Sequence, residues 1–127
     1  MKIVGIPYSE LLPLVQHIPK STQLLFPKTA RYYVVRTIEG EFVGCCGIQY
    51  FKEGSELKAD WTEPKFRGQG VHKTMLEFRL KLIAGQGLKY AVARCTSMSL
   101  GNYLKAGFVV TKELKTLTEV KKELNVQ

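Results

Sequence analysis

Hydrophobic residues follow two spacings along this chain, one typical of strands and one typical of helices. Lys2–Ile6 predicts a short first strand. A helix is then expected from Ser9, as its N-cap, to about Ile18, where Pro19 would end it. The segment Lys20–Ala30 is compatible with a second short helix or with a loop. The chain therefore begins with a strand and at least one helix.

The next region is rich in β-branched and aromatic residues. Arg31–Ile38 and Glu41–Phe51 predict two strands, and the intervening Glu39-Gly40 is typical of a hairpin turn. A second turn at Lys52–Ser55 leads to a strand over about Glu56–Thr62. Three antiparallel strands in sequence are therefore predicted.

Helical spacing returns after these strands. Gln69–Ala84 predicts a largely buried helix, and Leu88–Cys95 a strand inside a sheet. Ser97–Gly107 favours a short helix and Phe108–Thr111 another strand, whereas Leu114–Leu124 is compatible with a strand or, towards its end, a helix. The apolar stripe expected on the long helix comprises Val71, Met75, Phe78 and Leu82, and the apolar side is widened by Leu76, Leu80 and Ile83.

The length of the chain limits its organisation. Its 127 residues, 45% of them hydrophobic, suit one domain over residues 1–127 with a single core. The order of elements predicts an α+β fold in which a mixed sheet is flanked by helices.

The net charge indicates which class of ligand the protein could bind, and the cysteines indicate the redox state of its compartment. The formal net charge of +8 favours polyanionic ligands, a class that includes coenzymes and nucleic acids. The basic residues are spread along the chain, so a solvated surface is the alternative. Cys45, Cys46 and Cys95 are odd in number and predict neither a disulfide framework nor a metal site. With no export or membrane segment visible, a reducing, cytoplasmic location is expected.

The segment Pro64–His72 carries the strongest chemical signal, since it joins the end of a strand to the start of the best helix. A helix N-terminus presents unpaired N–H groups and partial positive charge, which suit phosphate oxygens. Gly68 and Gly70 would allow a phosphate to approach closely, and Arg67 and Lys73 would add charge. A tight strand-to-helix turn in which glycine serves geometry alone is the alternative. The segment lacks the patterns of a nucleoside-triphosphate P-loop and of a dinucleotide site.

Two motifs together resemble those of the GNAT superfamily of acyl-CoA-dependent N-acetyltransferases. Glu63–Val71 is similar to the family's strand-to-helix signature, Arg/Gln-x-x-Gly-x-Gly/Ala. About thirty residues later, Tyr103–Phe108 is similar to its Tyr-x-x-x-Gly-Phe ending of a helix. The likeness extends over roughly residues 31–111. It implies a mostly antiparallel central sheet with a splay between two strands at the cofactor site.

The resemblance also implies a reaction. An amine would attack the thioester of acetyl-CoA directly, with no protein nucleophile and no metal. Pantetheine would pair with the strand edge near Trp61 and Thr62, and Lys73 would add charge beside the phosphates. The pyrophosphate would be bound by backbone N–H groups of Arg67, Gly68, Gln69, Gly70, Val71 and His72.

Four side chains are candidates for proton transfer. The resemblance implies that Tyr103 protonates the departing thiolate. A base is also needed, and the strand before the turn offers Asp60 as the first candidate and Glu56 as the second. Period-two alternation would place these two carboxylates on the same face of the strand. Glu63 acting through a water chain is a further alternative.

His72 departs from the family pattern, because a small residue is usual at that position. Its ring would either point sideways, near Arg79, or reach a phosphate as a donor. This departure motivates a non-catalytic, coenzyme-binding module as an alternative function. A second alternative, permitted by the net charge, acts on nucleic acid or a nucleic-acid-bound substrate. The amine acceptor is left open, a homodimer is plausible for this family, and no membrane partner is expected.

Overall fold

The computed structural model describes residues 1–125 and forms one seven-stranded sheet with helices on both faces. Val126 and Gln127, the last two residues of the predicted domain, lie outside the described residues. The sheet runs in the order β1-β2-β3-β4-β5-β7-β6, and every neighbouring pair is antiparallel except β4 and β5. The predicted α+β class and the mostly antiparallel sheet are confirmed. The strands are β1 (Lys2–Ile6), β2 (Arg31–Arg36), β3 (Phe42–Tyr50), β4 (Gly54–Thr62), β5 (Tyr90–Cys95), β6 (Val109–Glu113) and β7 (Thr118–Glu123).

Within the described part of the chain, three α-helices cover the sheet. They are α1 (Tyr8–Val15), α2 (Val71–Gly85) and α3 (Ser97–Lys105). Short 3₁₀ turns occupy Lys20–Thr22 and Pro64–Phe66. Among the residues from 1 to 125, no helix has the length and apolar character needed to span a membrane.

The two faces of the sheet bury different helices. Val34 packs with α1, while the next residue, Val35, packs with α2, as alternation along a strand requires. On the α1 face, Leu11 and Val15 are buried against the sheet. On the opposite face lie α2 and α3, so the two helices that flank the predicted coenzyme turn share one side.

The beginning of the chain differs from the prediction. Helix α1 starts after Pro7 rather than at a Ser9 cap, and it ends at Val15 instead of near Ile18. The amide of Ile18 donates to the carbonyl of Val15 over 3.1 Å, a turn that ends the helix before Pro19 is reached. The segment 20–30 contains one 3₁₀ turn and otherwise no regular structure, so the loop alternative is the better description.

The last two strands, β6 and β7, form a hairpin. Residues 118–123 form β7, which pairs with β5 on one side and β6 on the other. The alternative of a helix near Lys121–Leu124 was therefore wrong, because residues 121–123 continue the strand that begins with the β-branched Thr118 and Val120 and pairs on both sides.

Helix α2 buries part of the predicted apolar side and, in addition, one charged residue. Phe78 and Leu82 are only partly buried, and the centre of the buried face is Arg79, which is 0% exposed. A hydrophobic stripe cannot predict this, because a buried arginine requires an anionic partner from another element. The residues of α2 that are buried are Val71, Met75, Leu76, Arg79 and Ile83.

A bulge in β4 shifts the alternation of side chains between the two faces of the sheet. The predicted position of Glu56, one of the candidate bases, depended on regular alternation. Cys45 of β3 pairs with Trp61 and Gly47 pairs with Lys58, so one residue of β3 faces two of β4. Ala59 in the bulge has φ +60°. Leu57 therefore packs on the α2 face, whereas Ala59 and Trp61 pack on the α1 face.

The prediction that Glu56 and Asp60 share a face was wrong, because the bulge lies between them. Asp60 contacts the α2 side, and Glu56, next to Leu57 on the strand, points to the opposite face. Glu56 pairs with Lys58 over 3.6 Å instead.

Candidate active site

The glycine turn, residues Arg67–Gly70, connects the 3₁₀ turn after β4 to α2. Gly68 and Gly70 have φ values of +80° and +79°, where other residues are strained. A Cβ atom added to either glycine would meet no atom within 4 Å. The backbone conformation therefore favours glycine, and the space in front of the turn is open to a ligand.

The N-terminus of α2 faces the same open space. Within residues 1–125, no side chain caps it, and the first helical hydrogen bond is donated by the amide of Thr74 to the carbonyl of Gly70 over 3.0 Å. The preceding amides are the donors that a helix leaves without intrahelical partners. Together with the helix dipole, they suit an anion such as a phosphate.

Arg67 ties the glycine turn to the end of β4. Its Nε donates to the carbonyl of Thr62 over 3.0 Å, and its guanidinium carbon lies 4.8 Å from the centre of the Trp61 ring. The indole nitrogen of Trp61 donates to Glu63 over 2.9 Å. These contacts hold Trp61 and Thr62 in place, and the two residues form a wall at the end of β4.

β4 and β5 separate beside this wall. Their parallel pairing runs from Gly54 and Tyr90 to Leu57 and Ala93, and β4 then continues to Thr62 without pairing to β5. A cleft of about 730 Å³ opens there, under the start of α2 and the start of α3. The predicted site residues that line it are Asp60, Trp61, Thr62, Arg67, Gly68, Gly70, Val71, His72 and Lys73.

Gln69 and Tyr103 are the predicted residues that do not line the cleft. The Gln69 amide instead approaches the carbonyl of Lys65 at 3.4 Å. The Tyr103 side chain is only 2% exposed and lies behind the cleft.

The cleft is also lined by residues outside the predicted site residues. Thr22 and Leu24 come from the segment left open as helix or loop, so no motif could locate them. Asn102 precedes the predicted Tyr103 directly, and this adjacency was the one available signal. The remaining additions are Phe66, Thr96, Ser97, Met98 and Ser99, of which Thr96 and Ser97 follow the buried strand.

Behind the cleft, four side chains form what we call the Asp60 cluster: Asp60, His72, Arg79 and Tyr103. Arg79 binds both carboxylate oxygens of Asp60, with Nη1 2.7 Å from Oδ1 and Nη2 2.8 Å from Oδ2. Oδ2 also accepts hydrogen bonds from the Tyr103 hydroxyl over 2.8 Å and from Nε2 of His72 over 2.9 Å. Both oxygens of Asp60 are thus already engaged by donors.

These partners determine the charge of Asp60. Burial by itself would raise the pKa of the carboxyl, but the Arg79 guanidinium, helped by the hydrogen bond from His72, holds that pKa well below its usual range. Asp60 is therefore ionised at neutral pH and has little affinity for a proton. In contrast, burial and then the charge of Asp60 raise the pKa of the Tyr103 hydroxyl well above its ordinary value.

His72 points sideways, towards the sheet, as one of the two alternatives predicted. Its Nε2 contacts Asp60, and its Nδ1 accepts a hydrogen bond from Nδ2 of Asn102 over 3.0 Å. The ring packs edge-on against Tyr103 at 5.4 Å between centroids, and 17% of the side chain is exposed. The bulky residue is therefore part of the Asp60 cluster.

The model of the Acetyltransferase (GNAT) family matches residues 7–108. A search of curated proteins gave no match.

Solved structures share the fold at low sequence identity. IAA acetyltransferase from Bacillus cereus has 16% identity and a TM-score of 0.76, with 97% of this chain and 99% of that one covered. A GNAT family acetyltransferase from Elizabethkingia anophelis with acetyl-CoA bound has 21% identity and a TM-score of 0.71, with 97% of each chain covered. N-acetylglutamate synthase from Neisseria gonorrhoeae, complexed with coenzyme A and L-arginine, has 15% identity and a TM-score of 0.78, covering 98% of this chain and 33% of that one. At these identities the structural likeness establishes the fold alone.

Proposed function

Because the chain belongs to the acetyltransferase (GNAT) family and is an acyltransferase by that membership, we propose that it transfers an acetyl group from acetyl-CoA to a primary amine. The amine would attack the thioester directly in a ternary complex. The observation that carries the proposal is the cleft between the diverging β4 and β5, into which the glycine turn and the uncapped start of α2 both face. Family membership supports acyl transfer in general, whereas the primary-amine acceptor and the direct attack on the thioester are proposed in addition.

The coenzyme's phosphates are assigned to the glycine turn. Backbone N–H groups of residues 67–72 would bind the pyrophosphate, with charge from Arg67 and Lys73. The open space in front of Gly68 and Gly70 supports this placement, since neither glycine is pressed against protein atoms. Pantetheine is assigned to the edge of β4 at Trp61 and Thr62, where β5 no longer occupies the backbone.

The roles of Tyr103 as general acid and Asp60 as base stay predictions. Their geometry gives them a common feature, because the Tyr103 hydroxyl donates to the same oxygen of Asp60 that His72 contacts. Proton transfer by either residue would therefore involve the whole Asp60 cluster.

A module that binds the coenzyme without turnover is the second candidate. The observation that favours it is the imidazole of His72 at a position where the family pattern has a small residue. Nucleic acid as part of the acceptor and a homodimer also stay predictions. A reducing, cytoplasmic location belongs to the proposal as well, and the three cysteines are free thiols in the structure.

Isothermal titration with acetyl-CoA tests the proposal. Wild-type protein should bind, and Arg67→Ala should weaken binding roughly tenfold, since it removes a charge-assisted contact with phosphate. Arg94→Ala is the matched control, because Arg94 is exposed on β5 and does not line the cleft. A screen of primary amines for thiol release then identifies the acceptor.

Two outcomes of the titration and the amine screen would count against the acetyltransferase. A folded wild-type protein that does not bind acetyl-CoA would contradict both candidates. Binding with no thiol release in the amine screen would favour the non-catalytic module.

A further inference from the structure

The Asp60 cluster is connected to the cleft through one side chain that can both accept and donate a proton. Tyr103 lies behind the cleft, and its hydroxyl proton is directed to Asp60. Asp60 reaches the cleft, but both of its oxygens accept hydrogen bonds, and Arg79 holds them in a bidentate pair. His72 also lines the cleft, and its ring lies between these residues and Asn102.

The hydrogen bonds of His72 define its tautomer. An ionised carboxylate only accepts hydrogen bonds, so Nε2 of His72 carries the proton that Asp60 receives. Nδ1 of the neutral ring then has a lone pair, which accepts from the side-chain amide of Asn102. Asn102 lines the cleft, and its hydrogen bond to Nδ1 is one that a reacting group could replace.

This arrangement has the form of an acid–base pair in which a carboxylate orients an imidazole. Asp60 fixes the ring through its contact with Nε2, while Nδ1 is left to exchange a proton with a ligand. Arg79 keeps the carboxylate ionised, and Tyr103 packs against the ring, so both support its position.

We propose, on the basis of the function proposed above, that His72 is the catalytic residue that moves the proton from the attacking amine to the departing thiolate. The ammonium first loses one proton to water, and the neutral amine then attacks the carbonyl carbon. Nδ1 of His72 takes the second proton from the nitrogen as the tetrahedral adduct forms, and it gives that proton to sulfur as the carbon–sulfur bond breaks. The products are the amide and the free thiol, and His72 returns to its neutral form.

Asp60, Asn102 and Tyr103 are positioning residues in this scheme. They act through the imidazole and do not contact the reacting atoms. The bulky residue at a small-residue position therefore has a purpose, because a smaller side chain at residue 72 would leave Asp60 without a group to orient.

The test compares His72→Gly, which restores the residue type of the family pattern, with the wild type and Tyr103→Phe. With the best amine from the screen, His72→Gly should lower kcat about 100-fold or more, the range of general acid–base catalysis, while acetyl-CoA affinity stays within about threefold. Tyr103→Phe should lower kcat about tenfold or less, because it removes only a positioning contact.

Chemical rescue distinguishes a catalytic role of His72 from a structural one. Added imidazole should restore activity to His72→Gly, whose cavity can accept the ring, and should not restore it to Asp60→Asn, which retains its own ring. Circular dichroism spectra and unfolding curves of each variant check that it is folded.

The outcomes separate this inference from the proposed function. Wild-type kcat in His72→Gly, or a loss of activity that imidazole does not restore in a folded variant, would overturn the role of His72 and leave the acetyltransferase proposal intact. A large loss of acetyl-CoA affinity with kcat retained would make His72 a coenzyme ligand instead. A wild-type protein that binds no acetyl-CoA, or that binds it without releasing thiol, would overturn both the transfer reaction and the role of His72.

Discussion

The glycine turn and the Asp60 cluster border the same cleft, but they are built in opposite ways. The turn consists of consecutive residues and presents backbone groups, and its glycines have open space beside them. The cluster brings together side chains from β4, α2 and α3, and each polar group in it is paired. The turn should therefore be sensitive to backbone geometry and the cluster to loss of a charge. Substitutions in each region test this difference. The largest loss of stability is expected for substitutions in the cluster.

Arg79→Met should be the most destabilising single change. It leaves the Asp60 carboxylate without its cationic partner, which for a buried ion pair costs about 3–5 kcal/mol of unfolding free energy. Urea denaturation measures the loss. Arg94→Met is the control, since the exposed pair of Arg94 with Glu119 should contribute less than about 1 kcal/mol. Equal losses in the two variants would show that the cluster is no more dependent on charge than the surface.

A double variant sharpens this result. Replacing both members, as in Asp60→Leu with Arg79→Met, removes the unpaired charge and should recover part of the stability lost in Arg79→Met alone. If the double variant is less stable than either single variant, the loss comes from packing and not from charge.

Acid should weaken the cluster through Asp60. Because the pKa of this carboxyl is lowered on folding, its stabilisation is present above the unfolded pKa and is lost as pH falls. Between about pH 5 and pH 2, the wild type should lose on the order of 2 kcal/mol through this group. Asp60→Asn lacks that component, so its stability deficit relative to the wild type should shrink as pH falls. Denaturation curves across this range measure the deficit, and a deficit independent of pH would contradict the prediction.

Tyr103→Phe should cost about 1.5–3 kcal/mol, because its hydroxyl donates to a charged acceptor. Tyr32→Phe is a matched control. Tyr32 is similarly buried, at 3% exposed, but its hydroxyl donates to the neutral carbonyl of Pro27, so the loss should be about 0.5–1.5 kcal/mol. Thermal or chemical unfolding of both variants gives the comparison, and equal losses would mean that the charge of Asp60 adds nothing.

Gly70→Ala should have the smallest effect on stability, about 1 kcal/mol, because alanine is strained at a positive φ but meets no neighbouring atom. Gly40→Ala in the turn between β2 and β3 carries the same strain, since Gly40 has φ +94° and also has open space around it. Under the proposed function, only Gly70→Ala should weaken acetyl-CoA binding, by roughly tenfold. Titration of the two variants distinguishes them, and similar affinities would separate the glycine turn from coenzyme binding.

Local pattern predicted most of the elements. The strands β2 to β4, helix α2 and helix α3 follow from alternation, helical spacing and turn residues, all of which act between neighbours in the chain. The boundaries of α1 and the last residues of β7, which were left open between strand and helix, did not follow. For β7, the deciding factor was pairing with β5 and β6, which supplies hydrogen bonds that no local spacing reveals.

The sequence by itself also determined the glycine turn, because Gly68, Gly70 and the start of α2 are adjacent and glycine adopts the needed backbone conformation without strain. Only the tertiary structure decided the chemistry behind it. The bulge at Ala59 turns Asp60 towards α2, where Arg79, His72 and Tyr103 meet one carboxylate. Each of these residues is unremarkable in its own segment. Their charges and protons are set by neighbours up to 43 positions away along the chain, and distances of that kind are determined by folding.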